Sequence, residues 1–199
     1  MQNILNQIET LRNSEVRETI DQKMKEFEKV ENVFSELCFC LMTANFSANG
    51  GIRIQNAIGS GFSTLSEQDL AIQLKKYGHR FPNARASYIF EARKVDLSKL
   101  KKLTGAEQRD WLIKNVKGLG MKEASHFLRN IGYNDFAIID FHIVDLLVKH
   151  KLIEQPKTLS KKNYLEIEEV LRKLAYKSGL SLGKLDMYLW YIETGKILK

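Results

Sequence analysis

A chain of 199 residues, 44% of them apolar, is long enough to bury a core as one domain or two small lobes. It has 31 Lys and Arg against 24 Asp and Glu, a formal charge of +7, which points to a polyanionic partner, nucleic acid first. There is no apolar run of the ~18 residues a membrane helix needs, and Met1-Gln2-Asn3-Ile4 lacks a signal-peptide pattern, so no membrane association and a cytoplasmic location are expected.

Pro82 and Pro156 are the only prolines, strand-like alternation is nearly absent, and apolar residues recur at three and four. The chain is therefore predicted to be all-α. A first helix covers 2–11, and Ser14 is placed to cap a second, to about 30. An apolar helix follows over 33–43. "NFSANGG" (45–51) reads as a loop or helix break on the strength of Gly50-Gly51, with a helix over 52–58 beyond it. "SGFSTLS" is a connector, and Ser66 with Asp69 marks the cap of a helix ending near Tyr77-Gly78. Pro82 suits the first turn of a helix to about 94. Thr104 and Glu107 form a capping-box pair opening a helix to about 115. Helices are then predicted from 122 to 130 and from Asp140 to about 150. Ser160 and Ser181 cap the last two, and Gly195 stops the final one. "KLIEQPKTLSKKN" (151–163) is a linker that lets the C-terminal helices fold back on the N-terminal ones.

Cys38 and Cys40, the only cysteines, lie in the apolar run "FSELCFCLM" and read as packing residues of a reducing compartment. Two cysteines do not make a four-cysteine zinc or iron–sulfur site, and the four histidines, at 79, 126, 142 and 150, form no HExxH or tight cluster. No metal and no cofactor are expected.

"VKGLGMKEASHFLRNIG" (116–132) carries the main functional signal. Gly118 and Gly120 bracket Leu119 between two helices, a helix-hairpin-helix pattern. Glycines allow the tight turn, and the N–H groups at the mouth of the second helix can hold a DNA phosphate without reading sequence. A turn between two packed helices is the plain alternative. Lys122 sits where the helix end is partly positive, which disfavours a lysine that is only structural. Asp140, in "FAIIDFHIVDLL", starts a later helix, and as a plain cap it needs no chemistry. Their separation of 18 positions holds one helix plus a return loop, which can bring both N-termini to one cleft.

The stretch from about 112 to 148 resembles the helix-hairpin-helix DNA glycosylase superfamily. The blocks "ELCFCLMTANFSANGGIRIQNAIG", "GHRFPNARASYIFEAR" and "LDMYLWYIETGKILK" resemble the short second class of 8-oxoguanine DNA glycosylases, found mainly in archaea. The likeness spans nearly the whole chain. Two features depart from the wider superfamily: "AIID" stands where a proline is usual, and the cysteine cluster of the endonuclease III branch is missing. The resemblance implies a two-lobed all-α fold with the active site in the cleft between the lobes. One lobe is expected from about 1–30 and 150–199, the other from 31–149, including the hairpin 105–132.

It also implies a base excision repair enzyme, a monomeric DNA glycosylase and AP lyase acting on double-stranded DNA that contains 8-oxoguanine, in the nucleoid of a prokaryotic cell. A lysine at position 122 marks the bifunctional members. Lys122 would attack C1′ as a neutral amine, a form that partial burial and the positive helix end both favour. Asp140 would stabilise positive charge on the sugar and help orient or deprotonate the nucleophile. Phe81 is the wedge candidate for the space left by the flipped base, or else a hydrophobic staple. Asn45 contacts the orphaned base or caps a helix. Arg80 and Arg85 hold phosphates or are simply solvated. His142 is implied to touch a phosphate, or packs its helix. Trp190 stacks on the base or belongs to the core. The Lys199 carboxylate is the implied acceptor for the N7–H that 8-oxoguanine carries and guanine lacks, unless the tail is disordered. The competing readings are a glycosylase for another oxidised base, a non-catalytic helix-hairpin-helix DNA-binding module and a protein-interaction bundle.

Overall fold

Apolar side chains spaced three and four apart bury one stripe of nearly every helix, and short polar residues at the ends satisfy the open N–H groups. The computed structural model describes the whole chain, Met1–Lys199, and all its regular elements are helical. No helix is long and apolar enough to cross a membrane.

The chain divides into two compact units, Met1–Val30 with Leu128–Lys199, and Glu31–Phe127. The first unit holds α1 (Gln2–Arg12), α2 (Val16–Glu28), α10 (Phe141–Lys149), α11 (Lys161–Ser178) and α12 (Leu182–Thr194). There α1 packs on α2, α11 and α12, and α12 also packs on α2 and α10. Ile4, Ile8, Ile20, Phe27, Leu174 and Leu185 fill its interior. Lys184 Nζ lies 2.5 Å from Asp21 Oδ1, pinning α12 to α2. The sequence alone puts the return to this unit near residue 150. Residues 128–149 pack here as well, because α11 grips the segment before α10 through Tyr164 and Glu168.

The second unit holds α3 (Val33–Thr43), α4 (Ala48–Ile58), α5 (Gly61–Thr64), α6 (Glu67–Lys76), α7 (Pro82–Ala92), a 3₁₀ turn (Leu97–Lys102), α8 (Ala106–Asn115) and the start of α9 (Met121–Asn130). Its central helix is α3, buried from Glu36 to Thr43 and packed on α4 and α7. Cys38 and Cys40 are fully buried there, and burial pushes the Cys38 thiol well above its ordinary range, leaving it protonated and inert.

Several expected ends differ. Ser14 Oγ sits 3.4 Å from the Val16 N–H, but Glu15 takes the cap position of α2. The connector at 60–65 contains the single turn α5, held by buried Phe62 and by Arg93 Nε donating to the Phe62 carbonyl at 2.8 Å. Gly105, at φ 51°, caps α8, so the Thr104–Glu107 pair makes only half its box, from Thr104 N–H to Glu107 Oε2 at 3.3 Å. Gly50 and Gly51 do not break the chain. They lie inside α4, which Ser47 caps by accepting from Gly50 N–H at 3.1 Å. Glycine is needed there for close packing, since a Cβ on Gly51 would stand 2.9 Å from both Phe39 Cε2 and Thr43 Cγ2.

A Gly51→Ala variant should therefore lose stability. Overpacking costs ~1–3 kcal/mol, against a gain in helix propensity of at most ~1 kcal/mol. A lower urea midpoint than wild type is the expected result, and a higher one would show that α3 and α4 can separate at little cost.

Candidate active site

The hairpin forms because α8 ends at Val116, whose side chain is buried, and the chain must reverse within four residues. Leu119 N–H donates to the Val116 carbonyl at 3.3 Å, and buried Leu119 anchors the turn. Gly118 has φ 92°, and a Cβ there would run into the Tyr88 ring, so glycine is required twice over. The Gly120 carbonyl accepts from Ala124 N–H at 3.0 Å and starts α9. Gly118 and Gly120 are both exposed, leaving their backbone open to a ligand.

Lys122 lies in the first turn of α9 with its side chain 22% exposed. Its Nζ is 3.8 Å from Glu123 Oε1, so the cation at the positive helix end has an acid beside it. Sequence reasoning misses Glu123, although an acid in a helix first turn is a recognisable signal.

Asp140 is the N-cap of α10, its Oδ1 accepting from Ile143 N–H at 3.0 Å. The cap uses one oxygen and leaves Oδ2 uncommitted to it. Just upstream, Tyr164 Oη donates to the Ala137 carbonyl at 2.7 Å and accepts from Ile139 N–H at 3.1 Å. Glu168 Oε2 accepts from Ala137 N–H at 3.1 Å, and Arg172 Nη1 donates to Asp135 Oδ1 at 2.7 Å. Just downstream, Phe141 is 67% exposed. The His142 ring lies 4.2 Å from that of Phe141 and meets Trp190 edge-on at 5.1 Å. Trp190 is half-buried, with its Nε1 sealed from solvent and lacking a hydrogen-bond partner. Residues 197–199 are half-buried rather than a fully exposed tail.

The remaining candidates gather on two loops of the second unit. Asn45 is exposed at φ 59°, in the turn between α3 and α4, and caps neither. Phe81 is 39% exposed at the cap of α7, with the exposed Arg80 guanidinium 5.1 Å from its ring. Arg85 departs from both of its readings: it is buried, and its Nη2 donates to the Ala44 carbonyl at 2.7 Å. That bond satisfies a backbone acceptor beside the strained Asn45, so Arg85 is spent inside the protein. His79, to which the sequence assigns no role, is 4% exposed and ties the two loops. Its Nε2–H donates to the Met42 carbonyl at 2.9 Å, its Nδ1 accepts from Phe81 N–H at 3.0 Å, and its ring stacks on Phe46. Tyr88 joins this group to the hairpin, with Gly118 against its ring and Arg85 and Lys117 over it. Neither role is legible locally, since His79 acts partly through Met42 and Phe46, and Tyr88 through Gly118 and Lys117, all distant in sequence. No group of three or more His, Cys, Asp or Glu is arranged to hold a metal.

The fold and the lysine-bearing hairpin are those of the helix-hairpin-helix class of DNA glycosylases. Within that class the chain belongs to the 8-oxoguanine DNA glycosylase family, whose model matches residues 16–180. It is 51% identical to the 8-oxoguanine DNA glycosylase/AP lyase of Korarchaeum cryptofilum, over 98% of each chain. The Methanocaldococcus jannaschii 8-oxoguanine glycosylase/lyase, solved in complex with a 15mer DNA containing 8-oxoguanine, superposes with a TM-score of 0.95 at 48% identity over all of both chains. The Thermotoga maritima 8-oxoguanine DNA glycosylase gives 0.93 at 46%, over 100% of this chain and 99% of that one.

The His79 tie makes stability depend on pH. Burial holds the imidazole below its ordinary value of 6.5, opposed by the Met42 hydrogen bond and helped by the nearby Arg85 charge. The unfolded chain therefore takes up a proton first, so this contribution is complete above pH 6.5 and is lost as pH falls below it. Urea midpoints measured from pH 7.5 down to 5 should fall less steeply in His79→Gln than in wild type.

Proposed function

We propose that this chain excises 8-oxoguanine from duplex DNA and then cuts the strand 3′ to the lesion, acting as a bifunctional DNA glycosylase and AP lyase. The observation that carries the reading is Lys122 in the first turn of the helix that leaves the hairpin, in a chain matched end to end by relatives named glycosylase/AP lyase. The enzyme acts as a monomer in the cytoplasm, on the nucleoid.

The backbone at Gly118 and Gly120 holds a phosphate near the lesion, and His142 contacts another. The damaged nucleotide is flipped out at a cost of a few kcal/mol. Phe81 fills the vacated space and Asn45 contacts the orphaned base, with Arg80 on the flanking backbone. Both loops are braced from beneath by His79 and Arg85, which supports a rigid wedge. Trp190 offers an aromatic face to the extruded purine, and the Lys199 carboxylate accepts its N7–H.

The neutral Lys122 amine forms a bond to C1′ as the bond to the base N9 breaks, and the base leaves with a proton. Asp140, ionised, stabilises the positive charge that develops on the sugar. The sugar ring opens at its C1′–O4′ bond to give a Schiff base. Loss of a C2′ proton then expels the 3′ phosphate. Water later releases Lys122.

Borohydride added during reaction with a duplex containing 8-oxoguanine should trap a covalent adduct in wild type and none in Lys122→Gln, while Asp140→Asn should form it at least about a hundredfold more slowly. Wild type that binds the duplex but gives no adduct would leave a monofunctional enzyme or a binding module instead. Base reading at the chain end has its own check. Adding a few residues after Lys199 should sharply reduce excision of 8-oxoguanine while leaving cleavage at an abasic site intact, and equal excision would remove Lys199 from the site.

A further inference from the structure

Asp140 is held by something other than its own helix. The segment Asp135–Ile139 belongs to no helix, and Phe136, Ala137 and Ile139 are buried. Buried backbone of this kind must find hydrogen-bond partners, and with no strand in the fold it cannot find them in a sheet. One face of α11 supplies them. Residues 168 and 164 meet the backbone at 137 and 139 in antiparallel order, with Tyr164 reaching 137 as well, and one turn further on Arg172 pairs with the Asp135 side chain. The match is geometric. Four helical residues advance ~6 Å, close to the ~6.6 Å spanned by two residues of extended chain.

The last of these contacts ends one residue before Asp140. Tyr164, 1% exposed, holds both the Ala137 carbonyl and the Ile139 N–H, so its hydroxyl fixes the peptide that leads into the cap. On the far side, the Asp140 Oδ1 bond to Ile143 N–H fixes the carboxylate to α10. A carboxylate that stabilises charge in a transition state must already be oriented when the charge appears.

We propose that Tyr164, supported by Glu168, is a positioning residue for base excision, setting the depth and angle of the Asp140 carboxylate. The inference rests on the reading of Asp140 as the group that stabilises the sugar cation. Tyr164 touches no reacting atom. Its hydroxyl acts on the Asp140 carboxylate through the backbone of Ala137 and Ile139.

Tyr164→Phe keeps the ring and removes only the hydroxyl. Two single-turnover rates separate a positioning role from a general loss of structure. One is excision from a duplex containing 8-oxoguanine. The other is borohydride trapping on a preformed abasic site, which needs Lys122 but no broken glycosidic bond. Excision should fall about tenfold while trapping stays within about twofold. Asp140→Asn, run in parallel, should show the same split more strongly. Should Tyr164→Phe not fold, Glu168→Met, which removes the acceptor for Ala137 N–H at similar volume, carries the same test. Equal loss in both assays, or undiminished excision, would overturn the proposal with the reading of Asp140 intact. Wild-type excision by Asp140→Asn would instead remove that reading, and the proposal with it.

Discussion

Buried backbone outside a helix must have partners, and in a protein without a sheet those partners are side chains, turns, helix ends or ordered water. The segment before Asp140 shows how this is met. Tyr164 and Glu168, on one face of α11, bond its backbone in place of the neighbouring strand that the fold does not contain, and Arg172 on the same face pairs with the Asp135 side chain. The next residues along the chain depend on that support. Asp140 caps α10, α10 carries His142, and His142 sets its edge against Trp190. If the segment were loose, the cap would still form, but its place in the unit would not be defined.

The second unit solves a different problem, an unfavourable charge. A lysine in the first turn of α9 opposes the helix dipole, and its neighbour Glu123 offsets that charge locally. The hairpin ahead of it is compact because Gly118 lets the chain lie directly on the Tyr88 ring. Tyr88 in turn carries the Arg85 and Lys117 cations on its face, so the hairpin and the loops of Asn45 and Phe81 share one support. His79 and Arg85 spend their polarity on the carbonyls of Met42 and Ala44. Asn45, Arg80 and Phe81 stay exposed on those loops. Residues that look basic or titratable in the sequence thus divide into those that face outward and those that hold the outward ones in place.

Much of this was legible in the chain itself. Apolar spacing and caps such as Ser66, Ser160 and Ser181 are local, and local interactions define where helices start and stop. The Gly-Leu-Gly turn, the lysine behind it and the capping aspartate are local too, and the sequence determined all three. What it did not determine is whatever depends on an approach between distant segments. Gly50 and Gly51 read as a break, but lie within α4, where a side chain on Gly51 would run into Phe39 and Thr43 of α3 and one on Gly50 into Phe46. Arg85 read as a surface cation, yet lies inside because the Ala44 carbonyl needed a donor. Tyr164, Glu168 and Arg172 show a plain i, i+4, i+8 spacing on α11. That spacing alone cannot say that the row faces residues 135–139, nor that it steadies Asp140. Only the tertiary structure decided this, because a hydrogen bond between residues 25 to 37 positions apart exists only once packing has brought its two ends together.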